Sequence, residues 1–151
     1  MTEKEFLWKI TKGTTQIFFL KSRMSFPFLF AVHTWIVIHR NGKLSRYDVW
    51  WYKNRCPDSH GHVHRNLYKP WTGVRTFVGR WTKNALRNRA EIIGSLEWRK
   101  NSRVDQIAEQ IQKYAFAYPD SQKYSYYPGP NSNTFTQWTI EHFHIPDIRL
   151  P

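Results

Sequence analysis

A chain of 151 residues that is 40% hydrophobic and 17% aromatic carries too much large apolar surface to stay disordered in water. It is long enough to bury a core without disulfides, and its one cysteine, Cys56, cannot close an internal disulfide, which sets aside a small oxidised scaffold and favours a reducing cytoplasm. The formal charge of +12, from 23 Lys and Arg against 11 Asp and Glu, creates a field that attracts nucleic acid or anionic lipid headgroups, and the same excess keeps an aromatic-rich surface in solution.

The apolar stretch from Ile17 to Ile38 is interrupted by Lys21, Arg23 and His33 and broken by Pro27, so neither a transmembrane segment nor an export signal is expected. One domain spanning 1–151 is expected, with residues 1–25 as an N-terminal extension and a core over about 26–146. Within "IFFLKSRMSFPFLF" apolar and basic residues mix without the periodicity of a membrane-surface helix. "FLFAVHTWIVIHR" and "RYDVWWY" are rich in β-branched and aromatic residues and flank Asn41-Gly42, the strongest two-residue hairpin signal. With those two residues as the turn, Arg40 faces Lys43. His33, Trp35 and Val37 then share a face with Asp48 and Trp50, and Asp48 lies diagonal to His33.

Residues 54–71 are polar and turn-rich and read as a loop. Gly73 to Trp81 is expected as a short strand, Lys83 to Arg89 as a basic connection, and "RAEIIGSLEW" as a further strand. Val104, Ile107, Ala108, Ile111, Tyr114, Ala115 and Tyr118 recur at helical spacing behind a capping box at Ser102 and Asp105, and Pro119 ends that helix. After a loop over Asp120 to Pro130, a second helix carries Phe135, Trp138, Thr139 and His142 on one face, with Asn131 or Ser132 as its N-cap, and stops before Pro146. The class is therefore α+β, an antiparallel sheet packed against helices.

"AVHTWIVI" on the first hairpin strand and "YPGPNSNTF" before the last helix, with "RAEIIGSLEW" and the helix after it, resemble an uncharacterised bacterial family catalogued as domain of unknown function 3750, from about Phe30 to His142. The order of parts is also similar to permuted papain-like folds, the lecithin:retinol acyltransferase group and the NlpC-type peptidases among them. That resemblance implies a catalytic histidine on an early strand, a polar orienting residue on the next and a nucleophile at the start of a later helix, places held here by His33, Asp48 and Ser132. It further implies hydrolysis of, or acyl transfer from, an amide or ester in a small-molecule, peptide or lipid substrate.

Where those proteins carry cysteine this chain carries serine, whose hydroxyl does not ionise near neutral pH and needs a well-aligned base. Two readings follow. In one, Ser132 attacks, His33 is the base, Asp48 fixes its tautomer and the Asn133 amide stabilises an oxyanion. In the other, the cleft binds an anionic partner, nucleic acid ahead of a lipid headgroup, with Asn131, Ser132 and Asn133 as caps or ligand contacts and Trp35 on the wall shared with His33.

"CPDSHGHVH" places Cys56 before His60, His62 and His64, whose alternate spacing would project three imidazoles from one side of an extended segment, a donor set suited to zinc. The alternative is pH-dependent charge on a basic surface. Trp50, Trp51, Tyr52, Trp71 and Trp81 lie among Lys53, Arg55, Lys69, Arg75, Arg80 and Lys83, an interleaving suited to stacked bases and phosphates, although Trp50 and Trp51 must face opposite sides of a strand.

Overall fold

The computed structural model describes residues 1–25, 28–76, 87–99, 102–146 and 148–150. Its elements, in chain order, are α1 (Glu3–Leu7), β1 (Thr14–Arg23), β2 (Val32–Arg40), β3 (Lys43–Val49), β4 (Ser59–His60), β5 (Val63–Arg65), β6 (Ala90–Arg99), α2 (Arg103–Tyr114), a 3-10 turn (Ala115–Ala117) and α3 (Ser132–His142). All strand pairs are antiparallel, in the order β4-β5-β3-β2-β1-β6. The protein is thus α+β. No described helix is long and apolar enough to cross a membrane.

Residues 14–23, inside the stretch expected as an extension, form a strand between β2 and β6. Helices cover one face of β1 and α1 the other, so it is buried on both sides and shows a continuous apolar run rather than alternation. On the α2 and α3 face, Ile17, Phe19, Ile36, Ile38, Tyr47 and Val49 meet Ile107, Ile111 and Phe135. On the other face Phe18, Leu20, Trp35 and Val37 meet Phe6, with the Phe6 and Phe18 rings edge to face at 5.3 Å. Complete burial of one such side chain contributes about 1.5–3 kcal/mol.

The hairpin between β2 and β3 turns at Asn41 and Gly42, both at positive φ, and pairs Arg40 with Lys43 and Ile36 with Tyr47. The expected loop over 54–71 contains a second hairpin. There β4 and β5 turn at Gly61, and β5 pairs with β3 through Asp48 and His64. Gly61 has φ of 59°, and a Cβ there would run into the Ser121 carbonyl, which accepts the His62 N–H at 2.7 Å. Gly61→Ala is therefore expected to destabilise the protein by about 1–3 kcal/mol, read as a lower urea midpoint with an unchanged slope.

Arg75 and Arg87 face each other in an isolated antiparallel bridge. The rest of the strand expected to reach Trp81, and most of the basic connection from Lys83, lies outside the described residues. Helix α2 forms as its periodicity requires. Ser102 Oγ accepts the Asp105 N–H at 3.3 Å, while the Asp105 carboxylate accepts from Thr15 Oγ1 and Arg40 Nε, both at 2.7 Å, and so ties the helix start to β1 and β2. Asn131 is the N-cap of α3. Phe135 and Thr139 of the expected face are buried, whereas Trp138 is half-buried and stacks at 4.9 Å on an exposed His142.

Candidate functional site

The hairpin register brings His33 and Asp48 together as period-two alternation requires, with His33 Nε2 3.6 Å from Asp48 Oδ2. Arg46, two residues before Asp48 and therefore on the same face, donates to that oxygen from Nε at 3.0 Å and Nη2 at 2.7 Å, and Trp50 Nε1 donates to it at 2.7 Å. The guanidinium lies 4.2 Å over the Trp35 ring, and its Nη1 donates to the Lys69 and Thr72 carbonyls. His33, Arg46 and Asp48 are all buried.

Burial works against the charged form of Asp48, but Arg46 first, then His33 and the Trp50 N–H, outweigh it and hold the carboxyl down at about 2. For His33 burial is the larger influence and pushes its pKa below the ordinary value, against the opposing pull of Asp48. The imidazole is therefore neutral near pH 7. His33 Nε2 and Asp48 Oδ1 are both buried without a hydrogen-bond partner.

Ser132 opens α3 on the other side of β2. Thr34 faces α3 and His33 faces away from it, as neighbours on a strand must. The Thr34 N–H donates to Ser132 Oγ at 3.3 Å, and Thr34 Oγ1 donates to the Ser132 carbonyl at 3.1 Å. Around the end of the strand the two sides meet in a cavity of about 340 Å³ lined by both His33 and Ser132. A second cavity of about 470 Å³ adjoins it, and Met24, Phe28, Tyr124, Tyr126 and His33 line both. The Phe28 and Tyr126 rings, stacked at 4.9 Å, stand where the two meet.

Asn131 Oδ1 accepts the N–H groups of Asn133 and Thr134 at 2.9 and 3.3 Å, so the Asn133 amide expected to face an oxyanion is taken by the cap. Among the described residues the Ser132 N–H is the first-turn amide left without an acceptor. The side chains of Asn131 and Asn133 line the smaller cavity, but their amides donate to the Tyr126 and Val32 carbonyls. Trp35 does not line the cleft. It is fully buried, with Nε1 donating to the Pro70 carbonyl at 2.9 Å.

The zinc donor set expected from Cys56, His60, His62 and His64 is not assembled. The turn at Gly61 breaks the extended run that would align the imidazoles. His60 is exposed on β4, and His62 Nδ1 donates to the Trp50 carbonyl at 2.7 Å. His64 Nε2 donates to the Tyr52 carbonyl at 3.0 Å, and its Nδ1 accepts from Ser59 Oγ at 2.7 Å. Burial lowers the His64 pKa. Cys56 Sγ lies 3.0 Å from Ser59 Oγ, and among the described residues no three His, Cys, Asp or Glu side chains are placed to hold a metal ion.

Of the aromatic and basic residues that interleave, Trp50 and Tyr52 line the larger cavity with Arg75, and Trp51 is 58% exposed beside them. Trp71 packs near Phe6 under Lys69, while Arg80, Trp81 and Lys83 lie outside the described residues. Sequence reasoning missed Arg46, Tyr68, Arg87, Tyr124 and Tyr126. Only Arg46 had a usable signal, its two-residue spacing from Asp48 on a predicted strand. No curated protein and no solved structure matches the chain. Over residues 14–151 it matches the family described as protein of unknown function (DUF3750), and the chain belongs to that family.

Proposed function

We propose that the cleft at His33 is a hydrolytic or acyl-transfer site for an amide or ester, in a permuted papain-like arrangement with Ser132 as nucleophile, His33 as general base and Asp48 as the group that orients it. One observation carries the reading: His33 and Ser132 line the same cavity at the N-terminus of α3. Asp48 beside Nε2 favours the tautomer protonated there, which leaves Nδ1 as the basic nitrogen. The 3.6 Å gap to Asp48 is of the kind that closes to a hydrogen bond when substrate binds.

In the proposed step Ser132 Oγ bonds to the carbonyl carbon while its proton passes to His33. The oxyanion faces the Ser132 N–H. Collapse breaks the C–N or C–O bond, and His33 returns the proton to the departing amine or alcohol; water then cleaves the acyl-serine through the same base.

A fluorophosphonate probe tests this. Labelling of the native protein is expected at Ser132, absent from Ser132→Ala and slowed at least about a hundredfold in His33→Gln. A native protein that stays unlabelled, or labelling that persists in Ser132→Ala, overturns the reading.

A second reading is favoured by a different observation: the Thr34 N–H on Ser132 Oγ is what a purely structural stitch between α3 and β2 would make. On that reading the cleft binds an anionic partner, nucleic acid ahead of a lipid headgroup. Its mark is affinity for single-stranded nucleic acid that falls steeply with salt and survives Ser132→Ala.

A further inference from the structure

We propose that the smaller cavity, the one lined by Ser132, takes the acyl half of the substrate, and that this half is an uncharged hydrocarbon chain rather than a charged or polyhydroxylated group. Naming it the acyl half rests on Ser132 as the nucleophile; the binding of such a chain does not.

The cavity of about 340 Å³ has room for about ten groups of water size. Phe28, Phe30, Val32, Tyr126, Tyr127 and Pro128 contribute to its walls. No Lys, Arg, Asp or Glu is among its described lining residues, although the chain carries a formal charge of +12. His33 is the described lining residue able to become a cation, and burial keeps it neutral near pH 7. Arg75 and Arg87 line the larger cavity instead. A charged group entering the smaller one would give up its water with no opposite charge to meet.

The polar side chains at the start of α3 do not alter this, because they bond to the protein. Thr134 Oγ1 accepts the Asn131 N–H at 2.7 Å and donates to the Asn131 carbonyl at 2.9 Å. Asn133 Nδ2 donates to the Val32 carbonyl at 3.2 Å, and its Oδ1 lies 3.0 Å from Thr34 Oγ1. Asn131 is held on both sides, its Oδ1 by two helix N–H groups and its Nδ2 by the Tyr126 carbonyl. A hydroxylated ligand would lose hydrogen bonds to water that these groups do not replace, whereas each CH2 buried here raises affinity about fourfold.

The rim points the same way. Phe30 and Tyr127 are 86% and 87% exposed, and both line this cavity. A single exposed apolar side chain is ordinary, but two at one cavity give a chain apolar surface along which to leave it.

The test uses Ser132→Ala, which turns nothing over, and reads binding by calorimetry. The neutral probes are N-methylbutanamide, N-methylhexanamide and N-methyloctanamide. The others are the ω-carboxylate and the ω-amine of the octanamide, and N-methylgluconamide against the hexanamide. Affinity is expected to rise about tenfold with each added pair of CH2 groups. The octanamide should bind at least about thirtyfold more tightly than either charged counterpart, and the hexanamide at least about tenfold more tightly than the gluconamide.

In the same background Phe30→Ser, and separately Tyr127→Ser, should weaken N-methyloctanamide at least about fivefold and leave N-methylbutanamide unchanged. Trp51→Ser, which removes an exposed aromatic side chain from the larger cavity, should change neither. Affinity indifferent to chain length, a charged or hydroxylated probe bound as tightly as its neutral counterpart, or equal losses in Phe30→Ser and Trp51→Ser overturns the proposal. Fluorophosphonate labelling of the native protein reports the nucleophile, which binding to Ser132→Ala does not require, so the two readings fail separately.

Discussion

Asp48→Ala is expected to cost the fold about 3–5 kcal/mol, because it strands a buried guanidinium. Arg46 is fully buried, and its Nε and Nη2 have Asp48 Oδ2 as their acceptor, while Nη1 keeps the Lys69 and Thr72 carbonyls. Removing the carboxylate also frees the Trp50 Nε1 donor. Against a total stability of about 5–15 kcal/mol, the loss is a large fraction. Arg46→Met should be destabilising for the complementary reason, the Asp48 carboxylate then lying in the interior without its cation. The double variant Arg46→Met, Asp48→Ala removes both charges and should lose clearly less than the sum of the two single variants. Urea unfolding of the four proteins gives the coupling directly. Additive losses would mean that the pair does not act as a unit.

The same buried pair shows what was legible in the sequence. The Asn41-Gly42 turn fixes the register of β2 against β3, and that register alone sets His33 diagonal to Asp48, because side-chain direction along a strand is determined by parity. The Asn131 cap and the buried stripe of α2 were legible for similar local reasons. Strand β1 was not, since burial on both faces removes the alternation that marks a strand and leaves an apolar run interrupted by Lys21. The short β4 and β5 escaped because their pairing depends on β3 and on a positive φ at Gly61 rather than on their own composition. That turn also separates His60 from His62 and His64, which is why an apparent zinc set became three differently engaged imidazoles. The pairing of Arg75 with Arg87 is a contact across 12 residues that neither local sequence contains.

Lowering the pH from 7 to 5 is expected to destabilise the protein, and His33 sets the sign. Its pKa in the fold lies below the ordinary 6.5, chiefly through burial, while Asp48 pulls the other way and Arg46 adds to the lowering. The unfolded chain therefore takes up a proton that the fold refuses. Stability is complete above pH 6.5 and declines below it, by about 1.4 kcal/mol per pH unit for as long as folded His33 stays neutral. For a chain of this size that is roughly 3–5 °C in thermal midpoint per pH unit from His33 alone. Burial shifts His39 and His64 in the same direction, so they steepen the decline. Asp48 adds a separate acid step: lowered from 3.8 to about 2 in the fold, it stabilises above pH 3.8 and gives that up as the pH falls toward 2. His33→Gln removes one titrating group and should flatten the slope between pH 7 and 5, as read by calorimetry. An unchanged slope would show that His33 is not the neutral buried base described. The same property bears on the proposed chemistry, because a base that resists protonation keeps its lone pair in mild acid. Fluorophosphonate labelling of Ser132 should accordingly hold its rate as the pH drops through 6.5, where an exposed histidine would already be losing half of its activity.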